Sequence, residues 1–170
     1  MITRKIRFSQ LFSLALFILV LTGCNSNEKS VINHYYLSLM GESESWSLTG
    51  YEVLITSDHF KAGNGTLNMK NANEYIGDSF QFRTYAVING EDTIVHSGSV
   101  AGAEIDIAKQ TTGAIEGESY LDKNGDFITL NDVTNIYMTV EWWDEGLRKS
   151  VRESIDLYNK ESKEQTFLHE

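Results

Sequence analysis

Proline is absent from this chain, and cysteine occurs once in 170 residues. Without proline, chain reversals must rest on glycine, asparagine and aspartate. With a single cysteine no intrachain disulfide is possible, so any folded domain is held by its core alone. Cations are also scarce: 14 Lys and Arg stand against 24 Asp and Glu, a formal net charge of −10. That balance argues against nucleic-acid partners and against electrostatic docking on anionic lipid. Only four histidines are present, His34, His59, His96 and His169, and no two have metal-ligand spacing such as H-x-x-x-H. No long segment carries helical periodicity. The densest apolar run, Leu14 to Leu21, is eight residues, far short of the roughly 20 that a spanning helix needs.

What the N-terminus does carry is ordered. Arg4, Lys5 and Arg7 come first without an acid, an apolar stretch from Phe8 to Leu21 follows, and Leu21-Thr22-Gly23-Cys24 closes it. Basic region, short apolar region and a small residue before the break are the parts of an export signal. The segment resembles the lipobox of bacterial lipoproteins, in which cleavage precedes the cysteine and the thiol takes a diacylglyceryl group. That resemblance implies lipidation of Cys24. The alternatives are an ordinary secretory peptide followed by a chance cysteine, or an uncleaved anchor. Two acyl chains suffice for stable attachment, so the body need not touch the membrane. Loss of residues 1–23 removes three cations and leaves 11 basic against 24 acidic residues, a net of −13.

The expected organisation is a signal peptide over 1–23, a lipidated cysteine and polar tether over 24–33, one domain over 34–157, and a polar tail over 158–170 that is frayed or weakly helical. Inside the domain, Asn-Gly pairs at Asn64-Gly65, Asn89-Gly90 and Asn124-Gly125 mark hairpin turns, and Asp144-Glu145-Gly146 marks a fourth. Between them the apolar residues alternate with period two. Tyr35, Leu37 and Leu39 share a face, as do Tyr51, Val53 and Ile55. Phe80, Phe82, Thr84, Ala86 and Ile88 form a third set, Ile136, Met138, Val140 and Trp142 a fourth, and Val151, Ile155 and Leu157 a fifth. Ile94 to His96, Ile105 with Ile107, and Ile115 to Tyr120 read as shorter strands. Leu130 to Asn135 reads as one helical turn capped by Asn131-Asp132. About eight strands at hairpin spacing predict an all-β chain: an antiparallel β-sandwich, immunoglobulin-like in the loose sense, with a closed barrel as the alternative.

Candidate sites are few. Asp122-Lys123-Asn124-Gly125-Asp126 spaces three side-chain oxygens as a calcium loop does, making Asp122, Asn124 and Asp126 a candidate metal set. The next residue is Phe127 where that loop needs glycine, so a solvated turn is the competing reading. No other cofactor is expected. Gly41-Glu42-Ser43-Glu44-Ser45-Trp46 joins acids to a large aromatic: Glu42, Glu44 and Trp46 are candidate partner contacts, or Trp46 plugs one end of the sandwich. Strand alternation sends Trp142 inward and puts Tyr137 and Trp143 on the outer face, a second candidate contact pair. Gly98-Ser99-Val100-Ala101-Gly102 lacks the register of a nucleophile elbow, and Ser99 reads as a loop serine.

Gly41-Glu42-Ser43-Glu44-x-Trp46 followed by Tyr51 to Ile55 resembles the opening of small lipoproteins from Bacillus-type bacteria. Val140-Glu141-Trp142 and Glu153-Ser154-Ile155-Asp156-Leu157 resemble their closing hairpin. The resemblance implies a lipid-anchored domain on the outer face of the cytoplasmic membrane of a Gram-positive bacterium, and brings no substrate or catalytic residue. The reading that follows is a binding or interaction module for a protein or envelope ligand, tied to the membrane through Cys24 and not a nucleic-acid binder. The competing readings are a lipid-anchored hydrolase whose site forms only in three dimensions and, last, a solute receptor.

Overall fold

The computed structural model describes residues 34–162 and 167–169. The export signal, Cys24 and the tether lie outside the described residues. Two antiparallel sheets pack face to face around one apolar core, so the chain is the β-sandwich that its alternation predicts.

The first sheet, sheet A, contains β1 (Tyr35–Glu42), β2 (Trp46–Ile55), β3 (His59–Gly63), β4 (Thr66–Met69), β7 (Lys109–Thr111), β8 (Ala114–Glu118) and β11 (Phe167–His169). The second, sheet B, contains β5 (Ile76–Ile88), β6 (Glu91–Asp106), β9 (Val133–Asp144) and β10 (Lys149–Asn159), in the order β10-β9-β5-β6. The buried faces are those read from the sequence. Leu37 and Leu39, Tyr51, Val53 and Ile55, Phe80 and Phe82, Ile136 to Trp142 at alternate positions, and Ile155 with Leu157 all lie in the core.

Sheet A is creased. β3 and β4 both pair with β2, and the register is unbroken across the gap: Glu52 faces Gly63 and Thr49 faces Thr66. β7 and β8 continue one another in the same way, with Gly63 opposite Ala114 and Thr66 opposite Thr111. Each pair is therefore one long strand interrupted at a shared line. On that line Gly50, Gly63, Asn64 and Gly113 all have positive φ, a conformation that glycine adopts without a side-chain penalty. The crease keeps its hydrogen bonds. Asn64 N–H donates to the Gly113 carbonyl (2.6 Å), Thr112 N–H to the Gly65 carbonyl (2.9 Å), and Gly65 N–H to Thr112 Oγ1 (3.0 Å). A Cβ at Gly63 would overlap the Gly113 carbonyl and the Ala114 backbone. Asn64-Gly65 thus bends a strand and does not make the hairpin expected of it.

Sheet B has a long uninterrupted centre. β5 and β9 pair without a break from Phe80 opposite Trp142 to Val87 opposite Asn135. Asn89-Gly90 is the expected hairpin turn, both residues at positive φ. Ile94–His96 and Ile105 belong to one strand, β6, not two, and Ile107 follows its end. Ser99 is a strand residue of β6, not a loop serine. The helical turn is a 3-10 turn over Leu130–Asp132 capped by Thr129, whose hydroxyl accepts from Asn131 N–H while the Asp132 carboxylate accepts from Thr129 N–H. The tail is not simply frayed: β11 pairs with β1 at residues 36–38. Eleven strands occur among the described residues against the eight expected: β6 reads as two from sequence, while the short strands β3, β4, β7 and β11 lack a period-two pattern long enough to read. No helix among the described residues is long and apolar enough to cross a membrane.

Candidate functional site

The outer face of sheet B is a flat polar surface whose composition follows from strand alternation. If Phe80, Phe82, Thr84 and Ala86 of β5 point inward, then Gln81, Arg83 and Tyr85 point out. Register places Tyr137 beside Tyr85, Thr139 beside Arg83 and Glu141 beside Gln81. On the far side of β9, Asp156, Ser154 and Arg152 continue those three rows. On the far side of β5, Ile94, Ser97 and Ser99 complete them.

Tyr85 and Tyr137 stack face to face, with ring centroids 4.9 Å apart and an interplanar angle of 11°. Partial burial by that stack, and then the carboxylate of Asp92, raise the Tyr137 phenol above its ordinary pKa. Ile94, the cross-strand neighbour of Tyr85, is 51% exposed and extends the apolar end of the row. Arg83 donates from Nε and Nη2 to Gln81 (3.2 and 3.0 Å) once the amide oxygen is turned toward it. Glu141 accepts from Arg152 Nε (2.9 Å) and Ser150 Oγ (2.9 Å), and the Arg152 hydrogen bond, the largest influence, holds its carboxyl below the usual range. A shallow depression of about 200 Å³, lined among others by Gln81, Ser99, Glu141 and Ser150, opens between these rows.

Tyr137 and Trp143 therefore share the outer face of β9, both half-buried, as alternation predicts. They are not adjacent. Thr139 and Glu141 lie between them on that face, so the two are six positions apart along the strand, about 20 Å at strand rise. The partner of Tyr137 is Tyr85, which is not among the contacts expected from sequence. Its signal is the alternate face of β5, whose inner face the period-two pattern reveals in full.

The other expected contacts divide. Glu42 and Glu44 are exposed at the β1–β2 hairpin. Trp46 corrects the contact set: it is fully buried, its ring 5.2 Å from Phe80 and 5.7 Å from Trp142, and has no surface to offer a partner. It is the plug at the end of the sandwich. Its indole Nε1 has no acceptor among the described residues. Glu42 pairs with Lys70 (2.9 Å), whose Nζ also donates to the Ser43 carbonyl (2.6 Å).

The hairpin is tied across to sheet B by Glu153, which accepts from Ser45 N–H (2.9 Å) and Ser45 Oγ (2.6 Å). Burial pushes that carboxyl up, but hydrogen bonds from Ser43 and Ser45, with the charge of Lys70, outweigh it and leave the group below its ordinary range. An open groove of about 570 Å³ runs beside this corner, lined by Met40, Glu42, Thr49 and Asp156 among others. Gly41 forms its inner rim because a Cβ there would overlap the Asp156 carbonyl of β10.

The Asp122–Asp126 segment is a self-capped turn. Asp122 Oδ1 accepts from Asn124 N–H (2.8 Å) and Asp126 N–H (2.9 Å), and Asn124 Nδ2 donates to Asp122 Oδ2 (3.1 Å). Asn124 thus turns its nitrogen, not its oxygen, toward Asp122, and the loop's own amides hold the carboxylate below its usual pKa. Among the described residues no three His, Cys, Asp or Glu side chains are grouped to hold a metal ion. His34 and His59 are exposed, the latter 3.5 Å from Asp58, while His96 is buried. No family model, curated protein or solved structure matches this chain.

Proposed function

We propose that the chain is an exported binding module, fixed to the outer face of a Gram-positive cytoplasmic membrane by lipid on Cys24, and that it meets its partner with the outer face of sheet B. The observation that carries the second half is the Tyr85–Tyr137 stack on an open sheet face, flanked by Ile94 and by the Arg83 and Arg152 rows. Aromatic and arginine side chains are the residues that interfaces favour. The partner is a protein or envelope ligand and not nucleic acid, given a mature charge of 11 basic against 24 acidic residues.

Two experiments divide the proposal. Cys24→Ser should release the protein from the membrane fraction, and unchanged retention contradicts the anchor. Crosslinking on intact cells should give an adduct lost in Tyr85→Ala and Tyr137→Ala and weakened in Trp143→Ala; equal adduct in all three contradicts the contact face.

A further inference from the structure

His96 has no part in that contact face, yet unlike His34 and His59 it lies inside the core. A β-bulge puts it there. Thr84 faces His96 while Tyr85 faces Ile94, so Val95 is the extra residue of β6, and Val95 and His96 both turn inward while Ile94 stays out. The ring lies 5.9 Å from Tyr51 in a stacked arrangement and 5.1 Å from Phe82 edge-on. Its Nδ1 is 3.0 Å from the Tyr51 hydroxyl, which is itself 3.1 Å from Thr84 Oγ1. The Thr112 backbone on the crease of sheet A also acts on the ring, favouring its charged form. One side chain therefore joins the edge strand of sheet B to β2 and to the crease.

The neutral ring fits this arrangement. A neutral ring can accept from the Tyr51 hydroxyl at Nδ1. A second proton would place a full charge in the core. The side chains around it offer no counter-charge. From β2 comes Tyr51, a phenol whose own pKa burial drives upward; from β5 come Thr84 and Phe82. Tyr120, which acts on Tyr51, is another phenol. His59 and Lys61 of β3 lie on the outer face of sheet A, opposite Glu118 and Glu116. Burial lowers its pKa, and the Thr112 backbone partly restores it. A charge without a counter-ion is what a core tolerates least.

We propose that the Tyr51–His96–Thr112 array is a proton-operated latch, in which protonation of His96 frees the β6 bulge and the Thr112–Gly113 connection while the Trp46–Phe80–Trp142 end of the sandwich stays packed. The opened state holds the proton better than the closed one, so acid favours opening. The effect begins as pH falls below the ordinary histidine value of 6.5 and levels off once the buried ring also titrates. Because Ile94 and Ser97 of the contact face flank the bulge, opening also disturbs that face. The latch itself does not depend on the face being a binding surface.

Amide exchange on the full chain, corrected for intrinsic rates, tests this between about pH 5 and pH 8, where histidine changes charge. In the native protein the opening constant at Val95, His96, Thr112 and Gly113 should rise by up to about tenfold for each unit of acidification below the ordinary value. Val140 and Trp142 should stay protected throughout. His96→Gln should flatten the response. An equal slope in native and His96→Gln protein overturns the latch. If the variant does not fold, the His96 ring signals of the native protein decide. A ring that stays neutral below the ordinary pKa while local opening rises supports the latch, and a ring that titrates without any change in exchange overturns it.

Discussion

The two sheets solve the same packing problem with different backbones. Sheet A folds along a line of positive-φ residues, Gly50, Gly63 and Gly113, that its neighbouring strands share in register. Sheet B runs β5 against β9 without interruption from Phe80 to Val87. The creased sheet brings Tyr51 and Thr112 to His96 and builds a polar contact inside the core. The unbroken β5–β9 pairing keeps alternate side chains in register and builds the outer face that carries the tyrosine stack. Glycine placement in one sheet and its absence from the centre of the other therefore separate an internal role from an external one.

Substitutions can break that contrast at several levels. The largest effect belongs to the contact the two sheets share. Trp46→Ala should cost about 3–5 kcal/mol in denaturant unfolding, since a large ring packed on Phe80 and Trp142 leaves a cavity that the core cannot collapse. Both sheets should lose protection together. Next come two positive-φ glycines with different surroundings. Gly63→Ala, on the crease, meets backbone on β8 and should cost about 2–3 kcal/mol, whereas Gly90→Ala, at the β5–β6 turn, has open space around it and should cost about 1 kcal/mol from its positive φ alone. Equal losses in thermal or denaturant melts would erase the distinction between the sheets.

Glu153→Gln weakens the tie from sheet B to the β1–β2 hairpin. Allowing for partial solvent screening it should cost about 1 kcal/mol at neutral pH. The folded carboxyl lies below its ordinary value of 4.5, so the native advantage should be complete above that value and vanish as pH falls through the folded one. Unfolding curves of the two proteins that keep their separation in acid contradict this. The smallest effect is at Arg152. Arg152→Ala removes an exposed partner of Glu141 on the outer face of sheet B and should leave the melting temperature unchanged within error. A clear drop would mean that sheet B depends on its surface ion pair.

Much of this was readable from sequence. Alternation at Phe80 to Ile88 and Ile136 to Trp142 gave the two central strands of sheet B with the correct inner faces, because period two survives wherever one face is buried. Bulges hid the rest. Val95 breaks the alternation of β6, and β6 departs again from β5 near Glu104, which has positive φ; one long strand therefore reads as two short ones. Gly63-Asn64-Gly65 looks like a turn because a crease needs the same residues as a turn. Whether the flanking segments pair with each other or both with β2 is a tertiary choice that local sequence does not encode. Among site residues, the outward placing of Tyr137 and Trp143 was legible. Tyr85 was legible in principle, as the alternate face of a strand already identified. The burial of Trp46 was an open choice, because a tryptophan at a strand start suits either face.

The central claim is that sheet B, not sheet A, presents the contact face, and one comparison tests it most directly. A photo-crosslinking residue at Thr139, in the middle row of sheet B, and the same group at Leu54, on the outer face of sheet A, would be illuminated on intact cells. The account predicts a discrete adduct from position 139 that disappears with Tyr85→Ala, and none from position 54. An adduct from position 54 alone, or equal adducts from both, would contradict it.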